Sequence, residues 1–291
     1  MNIIRISAGL GNQMFQYAFY LSMKSKDPTA CIDISEFKYR KHHHGYELEK
    51  IFNVNPSSAT EKQVAEIADV SKSLSAVIRR DFFKRGLKVN GELYKESGFG
   101  YRPELFEKKD TYFQGFWQSW KYFENVETEV RDNFTFVTPI SPRNKELSEK
   151  IVNSNSVSIH IRRGDYTKKR RWDEIGSICN IDYYNWAIAH INEFIENPRF
   201  IIFSDDIQWA RENLFLKDSI YVDWNTGTES YNDMRLMSLC KHNIIANSSF
   251  SWWGAFLNSN PDKIVIAPGK WYRYTPTPDL IPDGWITLPI D

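Results

Sequence analysis

The chain has 291 residues, and its 37 Lys and Arg balance 37 Asp and Glu, so a formal net charge of +0 excludes broad electrostatic capture of nucleic acid or of an acidic membrane surface. Any anion site must therefore be local. With 42% hydrophobic and 25% charged residues the chain reads as globular with a full core and long enough for two domains, and its 15% aromatic content suits a protein that also binds ring-shaped ligands such as sugars.

The three cysteines, Cys31, Cys179 and Cys240, are odd in number, widely spaced and free of any CxxC pattern, which points to a reducing, cytoplasmic setting. No window approaches the ~20 apolar residues of a membrane span, and residues 1–6 are too short for a signal peptide. No transmembrane segment is expected, and any membrane association would be peripheral. The Asn-x-Ser/Thr matches at Asn133 and Asn247 are then fortuitous.

Residues 3–6 read as a short strand, followed by Ser7-Ala8-Gly9-Leu10-Gly11-Asn12-Gln13 and a helix on which Met14, Tyr17, Ala18 and Leu21 share a face. Such a loop, with Gly9 and Gly11, lets backbone amides and a helix N-terminus face an anion, and Asn12 adds a side-chain amide donor. It matches neither GxGxxG nor a Walker loop, so taken alone it is equally a plain strand-to-helix turn.

Residues 33–44 carry Asp33, Glu36, Tyr39, Arg40 and His42-His43-His44, a polar loop suited to a hydroxylated substrate. Consecutive histidines cannot all point at one ion from regular structure, so no metal site is expected. Residues 61–85 read as a helix with a core stripe of Val64, Ile67, Ala68, Leu74, Val77 and Ile78. Tyr112-Phe113-Gln114-Gly115-Phe116-Trp117-Gln118-Ser119-Trp120 is either a core strand or an aromatic wall of an acceptor cleft. Thr138-Pro139-Ile140-Ser141-Pro142 breaks regular structure, and the domain boundary is placed there, giving domains 1–140 and 141–291.

The second half alternates regularly. Strands are predicted at 157–161, 200–203, 220–222, 243–246 and 263–267, with helices around 184–195, 209–214, 234–239 and 251–257. Strands alternating with helices imply a parallel, doubly wound sheet. In Val157-Ser158-Ile159-His160-Ile161-Arg162, alternation puts His160 and Arg162 on one face, and Gly164 allows a sharp turn just beyond.

Three predicted strands end in polar residues: Arg162, Arg163 and Asp165; Ser204, Asp205 and Asp206; Asn247, Ser248, Ser249, Phe250 and Ser251. Guanidinium groups and helix-terminal donors suit phosphate, and carboxylates suit base or ribose donors, so the combination fits a nucleoside diphosphate at a sheet edge. Asp165 is spaced to orient an arginine, Arg163 lies opposite Arg162, and either Asp205 or Asp206 also suits a helix cap. Trp252 and Trp253 read as core.

With these residues on view, the chain resembles the alpha-1,2-fucosyltransferases of glycosyltransferase family eleven nearly end to end. The resemblance rests on Gly9-Leu10-Gly11-Asn12-Gln13-Met14-Phe15-Gln16-Tyr17-Ala18, on His160-Ile161-Arg162-Arg163-Gly164-Asp165-Tyr166, on Phe203-Ser204-Asp205-Asp206, and on residues 237–255 with Asn247-Ser248-Ser249-Phe250-Ser251-Trp252-Trp253-Gly254. It implies an α/β, GT-B-like fold of two Rossmann-type domains facing a central cleft, an N-terminal acceptor-side domain and a C-terminal GDP-sugar-binding domain. It also implies inverting transfer from GDP-fucose to the 2-hydroxyl of a galactose-containing glycan, with no cofactor and no obligatory metal.

Carried over position by position, the resemblance gives Arg162 the diphosphate, His160 a place beside the nucleotide, and Asp205 or Asp206 the guanine or ribose. Ser248, Ser249 and Phe250 would supply hydroxyl and amide donors, Gly11 and Asn12 would close the site from the other domain, and Asp165 would support catalysis through Arg162. The family's eukaryotic members carry an N-terminal membrane anchor; this sequence starts at the catalytic domain, which favours a bacterial-type enzyme. No base stands out, with Asp33, Glu36 and His44 candidates by location only. The alternatives are another nucleotide sugar on the same architecture, or a non-catalytic carbohydrate-binding protein.

Overall fold

The computed structural model describes residues 1–39, 44–71, 73–82, 89–168 and 171–289. They form two compact units, Met1–Val137 and Thr138–Asp291, which divide at the start of the proline-containing stretch rather than within it.

In the first unit four parallel strands, β1 (Ile3–Arg5), β2 (Cys31–Asp33), β3 (Glu92–Lys95) and β4 (Thr111–Gln114), lie in the order β2-β1-β4-β3. Helix α1 (Leu10–Lys26) follows β1 directly. Thirteen of its 17 residues are buried, so it is enclosed on nearly all sides and not along one stripe as the spacing predicts. The polar Gln13 and Gln16 inside this burial are hydrogen-bonded to neighbouring loops, as buried amides must be.

The helix predicted over 61–85 is broken. Helix α2 (Glu61–Ile67) begins at a Thr60–Gln63 capping box, and helix α3 (Leu74–Asp81) restarts where the Ser73 side chain accepts the amide of Ala76. Val64, Ile67 and Ala68 do pack in the core, whereas Leu74 is 77% exposed, so the stripe fails in α3. Residues 83–85 lie outside the described residues, as do Arg40, His42 and His43 of the polar loop.

The aromatic run is strand only as far as Gln114. Tyr112, Phe113 and Trp117 are buried, Trp117 stacking on Phe19 of α1 with ring centroids 4.5 Å apart. These rings build the core of the unit.

The second unit holds six parallel strands, β5 (Ser156–Ile161), β6 (Arg199–Ser204), β7 (Ile220–Val222), β8 (His242–Ile244), β9 (Val265–Pro268) and β10 (Ile286–Leu288), in the order β10-β9-β8-β5-β6-β7. The chain winds outward from β5 in one direction and from β8 in the other. The two central strands, β5 and β8, are neighbours that do not follow one another in sequence, which makes their carboxyl ends a topological switch point. Helices α4 (Pro142–Val152), α5 (Ile181–Phe194), α6 (Ile207–Asn213), α7 (Tyr231–Leu239) and α8 (Ser249–Leu257) accompany the sheet.

Alternation decides which face each strand residue serves. Val157, Ile159 and Ile161 of β5 pack with Tyr183, Tyr184, Ala187 and Ile191 of α5, while Ile201 and Phe203 of β6 pack with Leu236 and Met237 of α7. The opposite face of β5 carries Ser156, Ser158 and His160, all buried. Ser158 accepts the side-chain amide of Asn243 (2.7 Å) and Ser156 accepts the backbone amide of Lys241 (3.1 Å). This polar row leads to the switch point.

Candidate active site

Arg162 stands at the end of β5, where the chain leaves the sheet. Its Nη2 donates to Asp165 Oδ1 (2.8 Å), and its Nη1 meets Asp205 Oδ2 (2.8 Å) at the end of the neighbouring β6. Burial opposes the guanidinium charge, but Asp205 and then Asp165 more than offset it, and the net pKa is raised. Arg171 holds the other oxygen of Asp165 at 2.9 Å.

Asp205 and Asp206 divide the remaining work. Asp205 Oδ1 accepts the backbone amide of Arg163 (2.8 Å), so this one carboxylate ties the turn after β5 to the end of β6. Asp206 caps α6 by accepting the amide of Trp209 (3.2 Å) and holds Arg163 Nε (3.1 Å), whose guanidinium lies 4.2 Å over the Trp209 ring. The resemblance sends one of these aspartates to the guanine or ribose; in the structure both are engaged by arginines.

Gly164 has another reason to be glycine than the turn predicted for it. It is not among the described residues with positive φ, but a Cβ there would lie 2.6 Å from Asp205 Oδ2. The missing side chain makes room for the carboxylate.

Next to Arg162 on the same face, His160 is 6% exposed and its Nδ1 has no partner. Burial, reinforced by the Arg162 charge, drives its pKa down to about 3, so the ring is neutral near pH 7. Phe250 lies alongside with ring centroids 5.8 Å apart. A buried nitrogen without a partner beside a cation is a polar contact kept open for a ligand.

After β8, Ser248 is the extended N-cap residue of α8 and makes no side-chain cap bond, leaving its hydroxyl uncommitted to the helix; Ser249 and Phe250 form the first turn. Trp252 and Trp253 are fully buried, as their adjacent positions predict. Thus β5, β6 and β8, adjacent in the sheet, bring Arg162, Asp205 and Ser248 to one edge.

Asn247 carries more than the sequence reveals. Its Nδ2 donates to the carbonyls of Ile175 and Trp271 (both 3.0 Å), and its own carbonyl accepts Tyr166 Oη (3.1 Å). Being 3% exposed, it has no access for glycan attachment in the folded chain. Tyr184 and Tyr183 similarly donate to the carbonyls of His160 (3.1 Å) and Ile245 (2.6 Å) at the strand ends. Beyond Trp271 an open cavity of about 570 Å³ is lined by Lys270, Arg273, Tyr274, Pro278, Asp283 and Trp285. The only sequence signal for it is the density of aromatic and proline residues there.

In the first unit, Gly11 and Asn12 lie in the first turn of α1, and Asn12 Oδ1 accepts Gln118 Nε2 at 2.6 Å. The candidate bases are engaged: Asp33 accepts Tyr112 Oη (2.6 Å) and the amide of Ser35 (2.8 Å), and Glu36 is ion-paired with Arg5. Glu47, which the sequence does not single out, is a buried carboxyl whose pKa is raised by that burial. Among the described residues no group of three or more His, Cys, Asp or Glu is placed to hold a metal ion, and no helix is long and apolar enough to cross a membrane.

A doubly wound parallel sheet with a cationic cluster and a helix N-terminus at its switch point defines a GT-B-like α/β protein with a site for an anionic nucleotide ligand. The chain belongs to glycosyl transferase family 11, whose profile matches residues 1–286. It is 33% identical over 291 residues to the alpha-1,2-colitosyltransferase of Escherichia coli, covering 98% of each chain. The O-antigen biosynthesis glycosyltransferase WbnK of the same organism is also 33% identical, over 97% of this chain and 99% of its own. Galactoside alpha-(1,2)-fucosyltransferase 1 of Ateles belzebuth is 27% identical over 53% of this chain and 44% of its own. Among solved structures, fucosyltransferase NodZ from Bradyrhizobium superposes with a TM-score of 0.56 at 15% identity, covering 92% of this chain and 96% of the other, a likeness of fold.

Proposed function

We propose that this family 11 glycosyltransferase moves L-fucose from GDP-β-L-fucose to the 2-hydroxyl of a galactose-containing acceptor, forming an alpha-1,2 linkage with inversion. The observation that carries the reading is Arg162, held between Asp165 and Asp205 at the switch point with the N-terminus of α8 following the adjacent strand.

In this reaction the acceptor oxygen forms a bond to the anomeric carbon, the bond from that carbon to the diphosphate breaks, and GDP departs with the electron pair. Charge grows on the diphosphate, and the enzyme's largest electrostatic task is to stabilise it. Arg162 is fixed on two sides by carboxylates, so its remaining N–H groups are presented to phosphate oxygens without further ordering. Ser248 and Ser249 contribute hydroxyl and amide donors, Phe250 and His160 the wall beside the nucleotide, and Gly11 and Asn12 donors from the first unit. Asp165 acts through Arg162. Asp205 and Asp206 reach the nucleotide's ribose or base only by exchanging one of their arginine contacts. With arginine neutralising the leaving group, catalysis needs no metal, and transfer is expected to persist in excess chelator.

The relationship to a colitosyltransferase favours one specific second reading. Colitose is fucose without its 3-hydroxyl, so the two donors differ at one position. A pocket that hydrogen-bonds that hydroxyl rejects the deoxy sugar by orders of magnitude, whereas one that ignores it accepts both. The test is transfer from GDP-fucose and GDP-colitose to a panel of galactosides, with the linkage read by NMR. Transfer from neither, or binding of UDP in preference to GDP, would overturn the donor assignment.

A further inference from the structure

Five described residues other than glycine have left-handed backbone: Ala8 (φ 66°), Asp110, Trp117 (φ 55°), Asn197 and Asp218. Three are Asp or Asn, which tolerate that region through local hydrogen bonds; Ala and Trp do not. Ala8 precedes α1 by two positions, and Trp117 immediately precedes Gln118. The two strained residues thus bracket one contact, the 2.6 Å hydrogen bond from Gln118 Nε2 to Asn12 Oδ1. Strain of this kind persists only where surrounding structure imposes it, and it concentrates at functional sites.

The imposing structure is visible. Gln13 Nε2 donates to the carbonyl of Ala8 (2.9 Å), and Gln16 Oε1 accepts the amide of Ser7 (2.7 Å), both from one buried face of α1. On the other side, Glu96 accepts the amides of Phe116 (2.6 Å) and Trp117 (3.2 Å), and the Trp117 ring is locked against Phe19. Gln118 is 5% exposed, and its Oε1 has no partner. The reverse amide orientation would leave buried N–H donors unpaired, a rarer and costlier arrangement than an under-satisfied carbonyl.

We infer that Gln118 is a positioning residue: by donating to Asn12 Oδ1 it fixes that amide so that Asn12 presents its Nδ2 donor, not its oxygen, to an oxygen of the GDP-sugar. The inference rests on the reading of the enzyme as a GDP-sugar transferase. The ligand oxygen belongs either to the diphosphate or to a sugar hydroxyl, both of which take an N–H donor.

The test is a double-mutant cycle of Asn12→Ala and Gln118→Glu, using whichever GDP-sugar the wild-type enzyme turns over. Glutamate keeps the volume of glutamine but can only accept, so it turns Asn12 Nδ2 inward. Gln118→Glu should lower kcat/KM by roughly ten- to a hundredfold with the melting temperature nearly unchanged, and should cost less than about twofold further when Asn12 is already Ala. Gln118→Asn, with a shorter amide, should recover little. Calorimetry with GDP separates the two oxygens: GDP affinity falls in Gln118→Glu if the partner is the diphosphate, and is unchanged if it is a sugar hydroxyl. Additive losses in the cycle, or wild-type kcat/KM in Gln118→Glu, overturn the inference. Failure of the fucosyl reading appears separately, as a wild-type enzyme inactive with GDP-fucose.

Discussion

Arg162 and Asp205 meet at 2.8 Å across the ends of two adjacent strands, and the same carboxylate takes the backbone amide of Arg163. One aspartate therefore sets both the direction of the guanidinium and the path of the chain beyond it. Replacing Arg162 with Ala is expected to lower kcat by about 10²–10³-fold, the scale of losing one preorganised donor to a developing charge. The fold should survive, because Arg171 still holds Asp165 and the Arg163 amide still holds Asp205. Arg162→Lys cannot reach both carboxylates in one plane and should recover only part of the loss. Steady-state kinetics alongside a thermal melt checks both points, and near-normal turnover in Arg162→Ala would refute the role given to it.

Gly164→Ala tests the same hinge from the other side. The new methyl would fall 2.6 Å from Asp205 Oδ2, closer than side chains approach, so the carboxylate must move away from Arg162. The expected result is a several-fold higher donor KM with a stability cost of about 1–2 kcal/mol. A variant with unchanged KM would mean that the carboxylate finds an equivalent position.

His160 makes a prediction about acid. Its native pKa of about 3 lies below the ordinary 6.5, because burial and the Arg162 charge oppose protonation. Between those values the unfolded chain binds the proton and the native state does not, so this contribution to stability is complete above pH 6.5 and is lost as pH falls toward 3. At pH 5 the loss from this residue is about 2 kcal/mol. Denaturant unfolding of wild type and His160→Gln from pH 7 to pH 5 should show a shallower decline in the variant; equal slopes would rule out a neutral buried imidazole.

Ala8 offers a stability test independent of chemistry. Its φ of 66° suits glycine, so Ala8→Gly should relieve about 1 kcal/mol of local strain and raise the melting temperature by about 2–4 °C, less whatever glycine's extra freedom costs the unfolded state. A lower melting temperature would show that the Gln13 and Gln16 contacts hold the loop without strain.

Several features were readable from residue order alone. Strand alternation in β5 placed His160 and Arg162 together, and the recurrence of strand and helix through the second half implied a parallel sheet; both depend only on local periodicity. The pairing of Arg162 with Asp165 was accessible too, since three residues separate them. Short-range caps were harder. Thr60 and Ser73 restart helices within a stretch whose apolar spacing reads as continuous, because side-chain competition for backbone amides acts locally and leaves no mark on the period.

What only the tertiary structure decided concerns contacts between residues far apart in the chain. Asp205 is 42 residues from Arg163, and Gln118 is 106 from Asn12. The sequence marked Asp205 as a candidate for the nucleotide and Gly164 as a turn; the fold makes Asp205 the anchor of the arginines and Gly164 the space that admits it. Residue types and spacing determine which groups reach the sheet edge. Strand order, settled by packing on both faces, determines which of those groups meet and which are left to hold a ligand.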